Sequence, residues 1–216
     1  MMKYAEFKEH KIQRTCTKKF HTPQKYKKYL QKDFHGRCGY CNMSEELVTV
    51  SFHVEHFVPE KIFKGKKDYL RTDYNNLMWS CPKCNLSKGD KYQGDLSGSS
   101  EIVNELFYNP AKIDYNQIFY RNELGGIDSD DPKGREMINT LKLYRPVHNL
   151  AWLLEQLEKL CDRLETLQEQ EQDPVKKLIL EAALGKVAMK CVNIERLFRV
   201  VYKGKKVFSE RKETQN

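Results

Sequence analysis

The sequence has no long apolar run, and residues 1–19 do not resemble a secretory signal. None of its apolar stretches approaches the ~20 residues that a bilayer-spanning helix needs. Residues 1–19 are basic but lack the apolar core of a signal peptide. The seven cysteines are an odd number, and Cys16, Cys161 and Cys191 stand alone, which argues against a disulfide framework. This usage is typical of a reducing compartment, so we expect a cytoplasmic protein without a membrane segment.

Positive charge is concentrated at the two ends of the chain. The 216 residues carry a formal net charge of +8. Residues 1–37 contain 11 Lys and Arg against 3 Asp and Glu, and residues 183–216 contain 9 against 3. Such clusters attract phosphate polyanions without reading their sequence, although basic termini are often simply solvated. Together with the motifs described next, the charges favour a nucleic-acid partner.

The four remaining cysteines form two Cys-x-x-Cys pairs, Cys38/Cys41 and Cys81/Cys84. Two such turns can place four thiolates around one Zn²⁺, and a site with four protein ligands is full, so it holds structure and does no chemistry. A redox role would need a thioredoxin-like βαβ context, which neither pair has. The spacing therefore predicts a structural zinc site that clamps the two ends of the enclosed segment.

The enclosed segment holds groups suited to phosphodiester hydrolysis. His56 is the best candidate for a general base, because a neutral imidazole with a pKa near ~6.5 accepts a proton at working pH. Glu55 offers an anionic oxygen and Asn85 an amide oxygen, both suited to a catalytic Mg²⁺ or Mn²⁺. Asn76 is expected to accept a hydrogen bond from the imidazole and orient it. Lys88 either contacts a phosphate oxygen or is an ordinary solvated lysine.

Two further residues lie beside this set. His53 shares a strand face with Glu55, where it either approaches the metal or the phosphate, or is a polar residue of the strand surface. Asn75 is adjacent to Asn76 and is the less favoured of the two for the orienting role.

Periodicity places the central motifs in a small ββα unit over residues 37–92. Alternating residues predict a strand over 49–56, and residues 76–80 read as a short return strand. A helical turn then follows and ends at Gly89. The expected fold class is therefore α+β, with a zinc-stabilised ββα-metal unit at its centre.

The flanking segments are predicted to differ in character. Residues 1–36 form a basic segment whose helix begins at Thr22-Pro23 and stops at His35-Gly36. Residues 93–145 contain many glycines and prolines and are expected to be an irregular wrapping segment over the ββα unit.

Residues 146–216 are predicted to be a helical hairpin with a basic tail. The first helix carries leucines at helical spacing: Leu150, Leu153, Leu157, Leu160, Leu164 and Leu167. Asp173-Pro174 is typical of an N-cap and first helical position, so a second helix is expected from there to about Val201. The leucine stripe packs on the chain's own core, or it docks a partner or a second copy of the chain.

In order and composition, the central motifs resemble those of the HNH endonuclease family. There, an acidic residue precedes the base histidine and a proline follows it, as in the run 55–59, Glu-His-Phe-Val-Pro. Asn76-Leu77 and Cys84-Asn85 match the central and last motif positions. The resemblance implies that His56 is the base, that Glu55 and Asn85 bind the catalytic metal, and that Asn76 orients the base. A histidine common at the last position is absent.

The resemblance extends to the HNH subunits of Septu and retron-associated antiphage systems. It is carried by Glu-His-Phe-x-Pro and by the run 81–91, Cys-Pro-Lys-Cys-Asn-Leu-Ser-Lys-Gly-Asp-Lys, with weaker similarity at Asn109-Pro110 and Gly125-Gly126-Ile127. Members of that group act alongside an ATPase. The resemblance thus implies an effector nuclease whose leucine-striped hairpin docks an ATPase subunit.

The sequence leaves three functions open. The favoured one is a metal-dependent endonuclease acting on DNA. The same site can accept an RNA backbone, for example that of tRNA, because discrimination lies in groove shape and in contacts to the 2′-hydroxyl. The third is a zinc-stabilised nucleic-acid-binding module without catalysis.

Overall fold

The structure is a computed structural model that describes residues 4–97 and 103–203. The chain divides into two compact units, residues 1–145 and residues 146–216. Among the described residues, no helix is long and apolar enough to cross a membrane. Most of the predicted basic tail lies beyond position 203, outside the described residues.

The first unit mixes short strands and short helices. In chain order it contains β1 (Ala5–Glu6), α1 (Lys27–Asp33), β2 (His53–His56), α2 (Glu60–Phe63), β3 (Leu77–Ser80), α3 (Pro82–Lys88), β4 (Tyr120–Arg121), β5 (Ile127–Asp128) and α4 (Pro132–Leu141).

The centre of this unit is the antiparallel pair β2–β3, followed by α3. His53 lies opposite Ser80 and His56 opposite Leu77. All four residues of β3 are buried, and Trp79 on it is among the largest fully buried side chains. This arrangement confirms the predicted ββα unit, although the first strand begins at His53 rather than at residue 49.

The helix of the N-terminal segment begins as a 3-10 turn, Pro23–Tyr26, and continues as α1. Leu30 and Phe34 on its inner face are buried. It stops because His35 and Gly36 take positive φ angles of 55° and 66°, a conformation that glycine adopts without steric cost. The start and stop signals in the sequence located this helix well.

The segment 93–145 is more regular than expected. β4 pairs with both β1 and β5 in a three-stranded sheet, and α4 occupies ten residues. Asp131 caps α4 by accepting from the Gly134 backbone N–H at 2.7 Å. Gly134 is not a loop glycine: a Cβ there would lie 2.2 Å from the Ser129 Oγ, so the helix approaches its neighbour closely.

The second unit is a pair of long helices. Helix α5 spans Pro146–Gln170 and α6 spans Pro174–Tyr202, and the two lie against each other. Asp173 caps α6 by accepting from the Val175 and Lys176 backbone N–H groups. The Asp-Pro signal therefore marked the start of the second helix correctly, and the αα-hairpin is confirmed.

The leucine stripe of α5 is only partly buried. Leu150, Leu157 and Leu164 are half-buried, whereas Leu153, Leu160 and Leu167 are 37%, 42% and 43% exposed. On α6, Leu178 and Ala182 are both exposed. These two residues lie one turn apart, so α6 has an exposed apolar face.

Candidate active site and zinc centre

Four buried thiols converge at the base of the ββα unit. The Sγ atoms of Cys38, Cys41, Cys81 and Cys84 all lie within 4.8 Å of one another, and those of Cys41 and Cys81 are 3.8 Å apart. Tetrahedral Zn²⁺ with Zn–S bonds of about 2.3 Å separates its sulfurs by about 3.8 Å. The spacing therefore fits the predicted structural zinc.

A bound cation would also favour the thiolate form of these buried cysteines. At Cys38, burial is outweighed by hydrogen bonds from Cys41, Cys81 and Cys84, which lower the pKa of that thiol, whereas burial raises the pKa of the Cys41 thiol well above its ordinary value. A buried thiol of this kind becomes a thiolate ligand only with a positive charge beside it, and a bound Zn²⁺ supplies that charge. The four cysteines are thus suited to bind a metal ion as thiolates.

The first cysteine turn is tied to its surroundings through Gly39. The Gly39 backbone N–H donates to the Trp79 carbonyl at 2.8 Å, and the buried Lys8 ammonium donates to the Gly39 carbonyl at 2.5 Å. Burial lowers the pKa of Lys8 to about 8. These contacts fix the first cysteine turn against β3 and against the N-terminal segment.

One face of β2 meets α3 through two side-chain pairs. His53 and Glu55 lie two residues apart on the strand, and Asn85 and Lys88 lie one turn apart on the helix. At the exposed end, the Asn85 Nδ2 is 2.8 Å from the His53 Nδ1. At the buried end, the Lys88 Nζ is 2.5 Å from the Glu55 Oε1. The structure thus brings four of the predicted site residues to one face.

Glu55 is held on both carboxylate oxygens. Its side chain is 5% exposed, and its Oε2 accepts a hydrogen bond from the Tyr40 hydroxyl at 2.8 Å. Burial raises the pKa of Glu55, and the adjacent Lys88 ammonium opposes that shift. A carboxylate has about four acceptor positions, so two contacts leave one free position on each oxygen for a metal ion.

Lys88 does not occupy the position expected for a phosphate contact. Its side chain is fully buried, and besides Glu55 it donates to the His56 carbonyl at 2.9 Å. A buried carboxylate is costly without a counter-charge, and Lys88 supplies it. In this conformation Lys88 is an internal partner of Glu55 rather than a ligand of substrate.

His56 lies on the opposite side of β2 from Glu55. Its Nε2 is 2.9 Å from the Arg71 carbonyl oxygen, and its ring meets the Phe63 ring edge-on at 5.6 Å. A carbonyl oxygen only accepts, so Nε2 carries the proton and Nδ1 presents a lone pair. The imidazole is therefore oriented with one basic nitrogen.

The orienting group is a backbone carbonyl and not Asn76. The Asn76 Oδ1 accepts from the Val58 N–H at 2.8 Å, and its Nδ2 donates to the Leu70 carbonyl at 3.0 Å. Asn76 thus fastens the loop that carries the Arg71 carbonyl. Asn75 is exposed, and its backbone N–H donates to Asp73.

Sequence reasoning missed two contributors to this site. Arg71 acts through its backbone, which every residue possesses and no motif marks. Tyr40 acts through its hydroxyl, and its position between two cysteines was interpreted only as part of a zinc turn.

Comparison with known proteins identifies the domain that contains these residues. Residues 38–91 match the HNH endonuclease family model, so this part of the chain is an HNH nuclease domain, the kind that hydrolyses phosphodiester bonds.

The chain is also similar to the Septu protein PtuB of Bacillus mycoides (strain KBAB4), with 28% identity over 140 residues. The match covers 55% of this chain and 46% of that protein, so the chain spans about half the length of this relative. No solved structure gives a significant match.

Proposed function

We propose that the protein is a metal-dependent endonuclease that cuts nucleic acid, with DNA as the favoured substrate, and that it is the effector of an antiphage complex. The observation that carries the proposal is His56, an imidazole fixed by the Arg71 carbonyl within an HNH domain. The similarity to a Septu protein supports the defence role.

In the proposed mechanism, the Nδ1 of His56 takes the proton of the attacking water. The Arg71 carbonyl keeps accepting from Nε2 and so stabilises the imidazolium that forms. Glu55 and Asn85 offer a carboxylate oxygen and an amide oxygen to a divalent cation, while the His53 Nδ1 accepts from the Asn85 Nδ2 and so orients the amide. When bound, that cation supplies Lewis-acid stabilisation of the scissile phosphate and the leaving oxygen.

Lys88 and the zinc site hold the proposed metal ligands in place from the protein interior. Lys88 favours the ionised form of Glu55 and so opposes the rise in its pKa that burial causes. The four cysteines join the turn before β2 to the start of α3, so the two elements that carry the proposed metal ligands meet at a fixed spacing.

A cavity beside the Arg71 loop is suited to the substrate strand. It measures about 410 Å³ and is lined by residues from 16–20 and from 69–75, together with Tyr26. Lys18 and Lys19 supply positive charge there, and Tyr69, 59% exposed, offers an aromatic face. Positive charge with aromatic faces is typical of surfaces that hold single nucleic-acid strands.

The helical hairpin is the surface that we propose for the partner. On α6, Val175, Leu178, Ile179 and Met189 are each more than 60% exposed. These four residues share one side of the helix, and an exposed apolar stripe of this kind normally packs against another element. The resemblance to Septu HNH subunits implies that an ATPase covers this face. Control by a partner suits an active site that recognises backbone chemistry and little sequence.

The function is tested by incubating purified protein with plasmid DNA and with total tRNA, in Mg²⁺, in Mn²⁺ and in EDTA, alone and after co-expression with the neighbouring gene product. Metal-dependent plasmid cleavage that is lost in His56→Ala supports the proposal. Cleavage of tRNA without cleavage of the plasmid would indicate that the substrate is RNA and not DNA. Binding of nucleic acid without cleavage in any arm would favour the non-catalytic module instead.

A further inference from the structure

Tyr40 connects the zinc centre to the carboxylate of the proposed active site. It lies between the zinc ligands Cys38 and Cys41, and its hydroxyl donates to the Glu55 Oε2 at 2.8 Å. Both side chains are buried, with Tyr40 0% exposed. One short stretch of backbone therefore carries two zinc ligands and one contact to Glu55.

The surroundings of Tyr40 allow it little movement. The preceding residue, Gly39, is held on both its N–H and its carbonyl, by Trp79 and by Lys8. A buried tyrosine has only two side-chain torsions to fix, so its hydroxyl has a defined position once its backbone is anchored. Glu55, in contrast, has three torsions and would otherwise be held by Lys88 alone.

We propose that Tyr40 is a positioning residue that fixes the Glu55 carboxylate for the catalytic divalent cation, so that the structural zinc sets the geometry of the cation site. The inference rests on the proposed function, because it takes Glu55 as a ligand of that cation. Groups that do not bind the metal but hydrogen-bond to one of its ligands typically contribute about 10–100-fold in metal affinity.

Tyr40→Phe removes the hydroxyl and keeps the ring. The matched control is Tyr115→Phe, because Tyr115 is also buried and its hydroxyl donates to a backbone carbonyl, that of Tyr108, at 2.7 Å. For wild type and both variants, zinc content is measured by elemental analysis, thermal unfolding by circular dichroism, and Mn²⁺ affinity by calorimetry without nucleic acid.

We expect Tyr40→Phe to bind Mn²⁺ about 10–100-fold more weakly while keeping its zinc, and Tyr115→Phe to bind it like wild type. In the background of Glu55→Gln, Tyr40→Phe should cause no further loss, because the hydroxyl acts through the carboxylate. Wild-type Mn²⁺ affinity in Tyr40→Phe, or an equal loss in Tyr115→Phe, would overturn the inference. A Tyr40→Phe protein without zinc would also overturn it, since the hydroxyl would then be needed for the fold.

Cleavage assays separate this inference from the proposed function. A wild type that binds Mn²⁺ but cuts no nucleic acid in any arm contradicts the nuclease proposal and leaves the affinity comparison intact. A wild type that cuts, with a Tyr40→Phe variant that needs no more Mn²⁺ for half-maximal cleavage, contradicts only the role of Tyr40.

Discussion

The Lys88 ammonium and the Glu55 carboxylate form an ion pair with 2.5 Å between Nζ and Oε1, and neither side chain is more than 5% exposed. Taking two charges out of water is costly, so such a pair depends on both members and on the hydrogen bonds around them. Here the Tyr40 hydroxyl and the His56 carbonyl supply those bonds. The pair is therefore part of the fold as well as of the site.

Lys88→Met is expected to lower the free energy of unfolding by about 3–5 kcal/mol, because it leaves Glu55 buried without a counter-charge. Urea unfolding followed by circular dichroism measures the change. Lys64→Met, at an exposed lysine, is the control and should stay within about 0.5 kcal/mol of wild type. Equal stability of the two variants would show that Glu55 does not depend on Lys88.

His56→Ala is expected to slow cleavage by roughly 10²–10⁴-fold, the range typical for loss of a general base. Zinc content and thermal unfolding should stay near wild type, because His56 lies outside the zinc cluster. His21→Ala, at an exposed histidine, is the control for activity. If His56→Ala cuts as fast as wild type, His53 becomes the candidate base.

Purified protein is expected to contain about one tightly held zinc per chain, with Mg²⁺ or Mn²⁺ held weakly and needed only for turnover. Cys84→Ser should lose the zinc and much of the folded population, because the binding energy of structural zinc is folding energy. Cys16→Ser, outside the cluster, should keep both. Soluble, active protein without zinc would contradict the assignment of the cluster.

Leu178→Asp on α6 is expected to leave the protein folded and to abolish capture of the proposed ATPase partner in a pull-down after co-expression. The reason is that Leu178 is 66% exposed, so the new charge is solvated in the free chain but buried in the proposed complex. Lys190→Asp, at another exposed position of the same helix, should keep the partner. A Leu178→Asp protein that still captures the ATPase would exclude this face as the docking surface.

The thiol of Cys191 should be slow to react near neutral pH. Burial and the Cys161 thiol, 3.8 Å away, raise the pKa of Cys191 from 9.0 to about 11. A raised pKa favours the protonated form in the folded chain, so this contribution to stability is complete below pH 9 and is lost as the pH rises to about 11.

Alkylation by iodoacetamide, followed by mass spectrometry of the Cys191 peptide, tests this. The rate should rise about tenfold per pH unit up to pH 11 in the folded protein. In urea the same peptide should already approach its maximal rate near pH 9. Identical profiles in the two conditions would contradict the shift.

The zinc cluster and the ββα unit could be predicted from the sequence, because residue spacing alone constrains them. Two Cys-x-x-Cys turns have few other uses, and the alternation through Glu55 fixes which residues share a strand face. The burial of Lys88 could not be predicted, since lysines are almost always exposed unless paired, and its pairing with Glu55 depends on how α3 packs on β2.

Two other features could not be predicted from the sequence, each for a different physical reason. The Arg71 carbonyl is a backbone group, so no side-chain motif could point to its contact with His56. Helix α4 was missed because Gly134 was interpreted as a loop residue, although Asp131-Pro132 carries the same start signal as Asp173-Pro174. In that helix the glycine serves close packing against Ser129, which only the tertiary structure reveals.

The order of the zinc ligands along the chain also has a consequence for protein synthesis. Cys81 follows Cys41 by forty residues, and α3 with Asn85 and Lys88 follows Cys81. While the ribosome is still making the segment between them, the emerging chain carries its basic N-terminal segment and both histidines of β2, but neither the closed cluster nor the helix that completes the site. A nascent or prematurely terminated chain would therefore carry the basic segment and both histidines while still lacking part of the proposed metal site.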